Sequence, residues 1–271
     1  MLQFVGGFIV GLLTVAVLLL LKRTAGTKGD ENNHLAQLEE LSKLTGGLAH
    51  EIKNPLSTVK INLNLVREEL EDSVRAESGK NTAEKNAAML KRAIRKLAVV
   101  QKETDRVEQI LDSFLRYIGK TELQLTSIDI NELVSDMIDF YSPQAQSRLV
   151  VIHQGLHNEP LVCKIDPDML KQVILNLFIN AQQAMSSGGE LMIRTGQQEN
   201  NAIIRISDTG TGIAPDKLPH IFEAYYTTRP QGRGLGLPTA KKIIEAHKGL
   251  ISVVSELEKG TSFEIRLPLQ S

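Results

Sequence analysis

Four short strings in this sequence bring together residues that could do chemistry. The first is Leu48-Ala49-His50-Glu51-Ile52-Lys53-Asn54-Pro55-Leu56. Helical residues four apart share a side, so His50 and Asn54 would project together while Glu51 flanks the histidine. A neutral imidazole is a nucleophile through its unprotonated nitrogen. A carboxylate beside it fixes the tautomer and accepts the proton. Pro55 removes the helical hydrogen bond to the Glu51 carbonyl and so loosens or bends the helix beside His50. A lone helical histidine is ordinarily a surface or core residue, and it is the whole string that favours a nucleophile.

The second string is Gln172 to Ala181, in which Asn176 and Asn180 repeat the four-residue spacing. Two amides on one face of an otherwise apolar helix need a reason, because buried polar groups without partners are costly. An amide oxygen is a suitable hard ligand for Mg²⁺. Helix-to-loop hydrogen bonding would explain one asparagine more readily than the pair. The third string is Asp208-Thr209-Gly210-Thr211-Gly212-Ile213, directly after a predicted strand. Asp208 is suited to accept a hydrogen bond from an adenine amino group, and glycines permit close backbone approach and positive φ. The fourth is Gly232-Arg233-Gly234-Leu235-Gly236-Leu237, leading into a helix. Free amides of a glycine-rich turn and a helix N-terminus make an anion site. Residues 214–231 before it, with Thr227, Thr228 and Arg229, are long for a loop and suggest a lid. Each glycine string alone is a weak signal.

The elements that must hold these groups follow from periodicity. Leu35, Leu38, Leu41, Leu44 and Leu48 lie on one helical face, continued by Ile52, Leu56, Val59, Leu63 and Val66. Residues 71–86 are charged and read as the turn of a helical hairpin. A second helix resumes with Leu90, Ile94, Leu97 and Val100 and runs to a stop near Gly119. Two such stripes make a poor core alone, so a second copy completing a four-helix bundle is expected. The alternative is that the stripes pack on the C-terminal domain. Beyond Gly119 the pattern predicts an α+β domain with an antiparallel sheet covered by helices on one face. Its helices are expected over 130–141, 166–185 (opened by Asp166-Pro167) and 238–247. Its strands are expected over 149–153, 161–165, 191–195, 202–207, 251–255 and 262–267.

At 271 residues, 42% hydrophobic and 23% charged, the chain has room for one large or two modest domains. A net charge of -1 supplies no global field for nucleic acid, so none is expected as a partner. Cys163 is the single cysteine, which excludes an intrachain disulfide. Phe4 to Leu21 is uncharged and would span about 27 Å as a helix, close to a bilayer core. Lys22-Arg23 follow it and no Lys or Arg precedes it, which favours an uncleaved anchor over a secretory signal. The expected layout is a transmembrane helix over 4–21, a linker over 22–34, a hairpin over 35–119 and a catalytic domain over 120–271, with the bulk in the cytoplasm.

Taken in order, the strings resemble those of the sensor histidine kinases of two-component systems. LAHEIKNPLS resembles their H-box, LNLFINAQQAM the N-box and SDTGTGI the first glycine box. IFEAYYTTRPQGRGLGL resembles the F-box, lid and second glycine box, and KGTSFEIRLP the last glycine box. The lid and H-box are most similar to the subgroup that often partners regulators of sigma-54 transcription. The resemblance implies a dimeric phosphoacceptor hairpin and an ATP-binding α+β two-layer sandwich in the inner membrane's cytoplasmic side. It implies autophosphorylation on His50, with Glu51 as base or orienter. Transfer to an aspartate of a response regulator would follow, with Asn54 serving its dephosphorylation. Asn180, with Asn176, would hold Mg²⁺. Asp208, Gly210, Gly212, Thr228, Gly234, Leu235, Gly236 and Thr261 would complete the ATP site. Arg233, Pro238, Ala224 and Gln183 depart from the common pattern; some relatives carry Lys at the Gln183 position. Two other readings stand beside this one. One is an ATPase of another kind on the same nucleotide fold, whose relatives lack an HExxNP string on a preceding hairpin. The other is a membrane module that binds ATP or a regulator without catalysis, against which the intact His50, Glu51, Asn180 and Asp208 argue.

Overall fold

A computed structural model describes residues 31–75, 82–119, 122–229 and 234–270. The apolar segment 4–21 and most of the expected linker lie outside the described residues, as does Arg233. Among the described residues no helix is long and apolar enough to cross a membrane. Compact units divide between Gly46 and Gly47. In the first unit the described residues are helical from Glu31, within the stretch read as linker.

Helix α1 (Glu31–Arg75) carries the His50 string, and α2 (Thr82–Ile118) returns beside it. Residues 76–81, inside the expected turn, lie outside the described residues, and helix extends into that turn from both sides. Leu48, Val66, Ala93, Ile110 and Phe114 are buried, and Lys96 Nζ reaches Glu69 Oε1 across the hairpin at 2.6 Å. Of the rest of the apolar stripe, Ile52, Leu56, Val59 and Val100 are half-buried, while Leu63, Leu90 and Leu97 stay exposed, with Ile94 63% accessible.

The C-terminal region is built on two sheets. Strand β1 (Thr126–Asp129) pairs antiparallel with β3 (Val162–Ile165). The larger sheet has the order β2-β4-β5-β7-β6, formed by β2 (Val150–Gly155), β4 (Gly189–Gln198), β5 (Asn201–Asp208), β7 (Gly260–Pro268) and β6 (Leu250–Glu256). It is mixed rather than wholly antiparallel, because β2 runs parallel to β4 from Val150↔Gly189 to Gly155↔Arg194. A helical crossover separates these strands in sequence, and that is the connection a parallel pair requires. The crossover helix is α4 (Pro167–Ala184). Asp166 caps it by accepting from the Asp168 and Met169 amides, and Pro167 occupies its first turn. Leu170, Val173, Ile174, Leu177, Phe178 and Ala181 form its buried stripe at helical spacing.

With α3 (Ile130–Ser147) and α5 (Gly236–Ala246), α4 packs over one core with Ile193, Ile204, Ile206, Phe263 and Ile265 from the strands. Helix α3 runs through Pro143 and ends beyond the expected Tyr141, because Tyr141 and Ala145 both anchor it in that core. His247 is buried at the end of α5. Its Nδ1 faces the Ile243 carbonyl at 2.7 Å, and its Nε2 accepts the Asp166 amide at 2.9 Å. A neutral ring with the proton on Nδ1 satisfies both contacts and ties α5 to the start of α4.

Candidate functional site: a polar cleft beside an exposed histidine

Helix α4, the turn after β5, the loop 214–229 and the start of α5 enclose a cleft of about 770 Å³. Nine expected binding residues line it: Asn176, Asn180, Asp208, Gly212, Thr228, Gly234, Leu235, Gly236 and Thr261. Gly210 does not. Its amide instead donates to Asp208 Oδ1 at 2.9 Å, and a Cβ there would lie 2.7 Å from that of Ala184. Gly210 therefore shapes the carboxylate from behind, in a space too small for a side chain.

Asp208 closes β5 opposite Thr261 and is almost wholly buried. Burial pushes its pKa up, while the Gly210 and Thr261 amides and the Arg229 charge pull against that; the net shift is upward. Gly212 has φ of 70°, and a Cβ on it would sit 2.1 Å from the Glu256 carbonyl oxygen. The turn is strapped to the β6–β7 connection, where the Glu258 amide donates to the Thr211 carbonyl. The Asp208 turn is thus fixed by glycine geometry and by the neighbouring hairpin.

Asn176 and Asn180 also line the cleft, as their spacing on one helix face predicts. Asn176 Nδ2 donates to the Gly236 carbonyl at 3.4 Å. Arg229 reaches in from the loop, donating to Asn180 Oδ1 at 3.3 Å, to the Asn180 carbonyl at 3.1 Å and to Gln183 Oε1 at 2.5 Å. A cation therefore already stands against the amide oxygen suited to Mg²⁺, which fits that oxygen to a metal. Among the described residues no three His, Cys, Asp or Glu side chains could hold a metal unaided. A divalent ion here would need phosphate oxygens to complete its ligands. Among the described residues no side chain caps α5, so its first amides remain available to an anion.

The His50 string lies on α1. His50 and Asn54 are exposed and do not line the cleft, and Glu51 is half-buried. Helix α1 continues through a buried Pro55 to Arg75. The structure also adds cleft-wall residues that the sequence did not single out: Lys217 and Tyr226, both within the expected lid, and, from α2, Ser113. Lys217 sits just past the Asp208 turn and could have been found as a cation within the expected lid. Ser113 carries no signal, since only the fold of α2 against this region brings it there.

Comparison with known proteins places this geometry. Residues 40–118 match the family described as His Kinase A (phospho-acceptor) domain. Residues 165–271 match the histidine kinase-, DNA gyrase B- and HSP90-like ATPase family. The sensor histidine kinase ZraS of Escherichia coli K12 is 34% identical over 240 residues, covering 89% of this chain and 48% of ZraS. Sporulation kinase E of Bacillus subtilis is 31% identical, covering 86% of this chain and 29% of that protein. The chain thus spans about half or less of the length of these relatives. Among solved structures, the catalytic domain of histidine kinase ThkA matches at 28% identity and a TM-score of 0.50, over 54% of this chain and 96% of that one. ThkA solved with the response regulator TrrA matches in fold, with a TM-score of 0.65 at 24% identity over 89% of this chain and 65% of that one. With a phosphoacceptor region and an ATPase region of these kinds in this order, the chain belongs to the sensor histidine kinases of two-component systems.

Proposed function

We propose that this chain binds ATP with Mg²⁺ in the cleft, phosphorylates its own His50 and passes the phosphoryl group to an aspartate of a response regulator. The observation that carries this reading is the polarity of the cleft. The cleft lining brings together a buried, amide-pinned acceptor, Asp208, suited to an adenine amino group, with amide oxygens facing a cation and the N-terminus of α5, groups suited to Mg²⁺ and phosphates.

In the transfer step, an imidazole nitrogen of His50 forms a bond to the γ-phosphorus as the bond to the β,γ-bridging oxygen breaks, and ADP leaves. The proton on the other ring nitrogen passes to Glu51 or to solvent. Asn180, with Asn176, would hold Mg²⁺, which neutralises phosphate charge. Positioning and charge neutralisation supply most of the rate in such transfers. Gly212, Gly234, Leu235, Gly236, Thr228 and Thr261 would shape the rest of the nucleotide site, with Gly210 supporting Asp208. Asn54, one turn from His50 and exposed, would position water for removing the phosphoryl group from the regulator.

The partner readings rest on further features. The exposed stripe of Leu63, Leu90, Ile94 and Leu97 suits a second copy of this hairpin in a four-helix bundle. A regulator partner is suggested by the relative ThkA, which was solved with one. Segment 4–21 would anchor the protein in the cytoplasmic membrane, with the regions described here on the cytoplasmic side. The test is incubation of the protein in lipid with γ-labelled ATP and Mg²⁺, beside His50→Gln. Acid-labile, base-stable label on the parent alone supports the reading. ATP binding without any label on the parent would instead favour a non-catalytic module.

A further inference from the structure

We propose that Tyr225 is a positioning residue for phosphoryl transfer, seating the nucleotide-cleft loop on the turn of α1 that carries His50; this rests on the kinase reading above. Four observations converge on this residue.

Its backbone is left-handed, with φ of 62°, a conformation that costs a bulky side chain about 1–2 kcal/mol and that persists only where surroundings impose it. Its ring fills a notch at Gly47, one helical turn before Glu51. A Cβ on Gly47 would lie 2.7 Å from Tyr225 Cδ2 and 2.8 Å from Cγ, so no other residue leaves room for the ring. Glycine inside a helix is itself unfavourable, which makes the notch a second local cost at the same contact. Among the described residues the buried Tyr225 hydroxyl has no hydrogen-bond partner. Burial, and then the charge of Glu51, push its pKa up, which places it within electrostatic reach of the base proposed for His50. A strained residue with an orphaned hydroxyl beside a reactive pair is what a functional contact produces, since packing alone would relieve both.

The same residue is tied to the cleft. The Tyr225 amide donates to the Gly234 carbonyl at 2.9 Å, and Gly234, with φ of 64°, packs against the Tyr225 backbone. The next residues, Tyr226 to Arg229, line the cleft. The ring thus grips the helix of the acceptor while the chain that continues from it holds the nucleotide end. A second contact steadies the arrangement: Lys242 Nζ donates to the Tyr117 carbonyl at 2.9 Å and lies 4.3 Å from that ring's centre.

The experiment follows transfer of label from γ-labelled ATP to His50, together with nucleotide affinity, in the full protein in lipid. Gly47→Val fills the notch and Tyr225→Gly removes the ring. Both should slow labelling by about 30- to 100-fold, the scale of a misplacement near 1 Å, while nucleotide affinity stays within about threefold. The contact can also be made switchable. The Gly47 Cβ position and Tyr225 Cγ are 2.8 Å apart, so the two Cβ positions fall within about 4.3 Å, a span a disulfide bridges. The pair Gly47→Cys with Tyr225→Cys should label rapidly when oxidised and slowly when reduced, a response that a merely structural contact would not give. Labelling of Gly47→Val at the parental rate would overturn the inference. So would a cysteine pair that is silent when oxidised and active when reduced, because the contact would then be inhibitory. A parent that binds ATP yet takes no label defeats the kinase reading and this inference with it, whereas a labelled parent with an equally labelled Gly47→Val defeats the inference alone.

Discussion

Replacing Asp208 by asparagine changes one atom and should change which base the cleft accepts. In the parent, Oδ1 is held by the Gly210 amide at 2.9 Å and the carboxylate is almost wholly buried. Asparagine can keep its oxygen on the Gly210 amide, and its NH₂ then faces the position where adenine would donate. Two donors would oppose each other in a buried site. The loss combines a charge-assisted hydrogen bond of about 1.5–3 kcal/mol with an unsatisfied buried donor of about 1–3 kcal/mol. A total of about 3–5 kcal/mol corresponds to ATP binding weakened by about 10² to 10³-fold or more. The same NH₂ suits a base with a carbonyl at that position, so inosine triphosphate should lose far less than ATP. Titration of both nucleotides against parent and Asp208→Asn, with thermal melting as a folding control, measures this. ATP affinity within about threefold of the parent, or an unchanged preference between the two bases, would refute the role given to Asp208.

Other perturbations follow from the same geometry. Gly212→Ala must either leave φ of 70° or drive its Cβ towards the Glu256 carbonyl 2.1 Å away; a loss of about 2–4 kcal/mol in stability is expected, and a melting temperature within a degree of the parent would count against it. Asp166→Ala removes the acceptor for the Gln124, Asp168 and Met169 amides and should cost about 2–3 kcal/mol by urea unfolding at neutral pH. Burial alone would raise the Asp166 pKa, but those amides lower it below the ordinary aspartate value. Its stabilising contribution is therefore present above about pH 3.9 and is lost as pH falls through the folded value. The gap between parent and variant should accordingly narrow at pH 3, and a gap unchanged by acid would contradict this. Ile94→Glu places a charge in the exposed stripe of α2 and should turn a dimer into a monomer in light scattering; a dimer that survives would remove that stripe from the interface.

Much of this could be read before any coordinates, for identifiable reasons. Asn176 and Asn180 announced themselves because amides at helical spacing in an apolar run are costly unless used, and both line the cleft. Asp166-Pro167 marked the start of α4 because cap chemistry is local. Strand β1 escaped notice because Thr126-Ser127-Ile128-Asp129 offers no apolar alternation and is held by its pairing with β3. The parallel β2–β4 pair was missed because strand direction follows from the crossover of α4, which no single strand encodes. Gly210 is expected among the nucleotide-site residues, but it packs behind Asp208 and does not line the cleft. The strain at Tyr225 was invisible, since only the meeting of the 214–229 loop with Gly47 creates it.

The central claim is that the γ-phosphoryl group of ATP ends on His50. Peptide mapping by tandem mass spectrometry, with the protein kept at neutral to alkaline pH after incubation with ATP and Mg²⁺, tests it most directly. The account predicts phosphate on the His50 peptide, carried by the imidazole and absent in His50→Gln. A folded parent that binds ATP but carries phosphate elsewhere, or none, would contradict it.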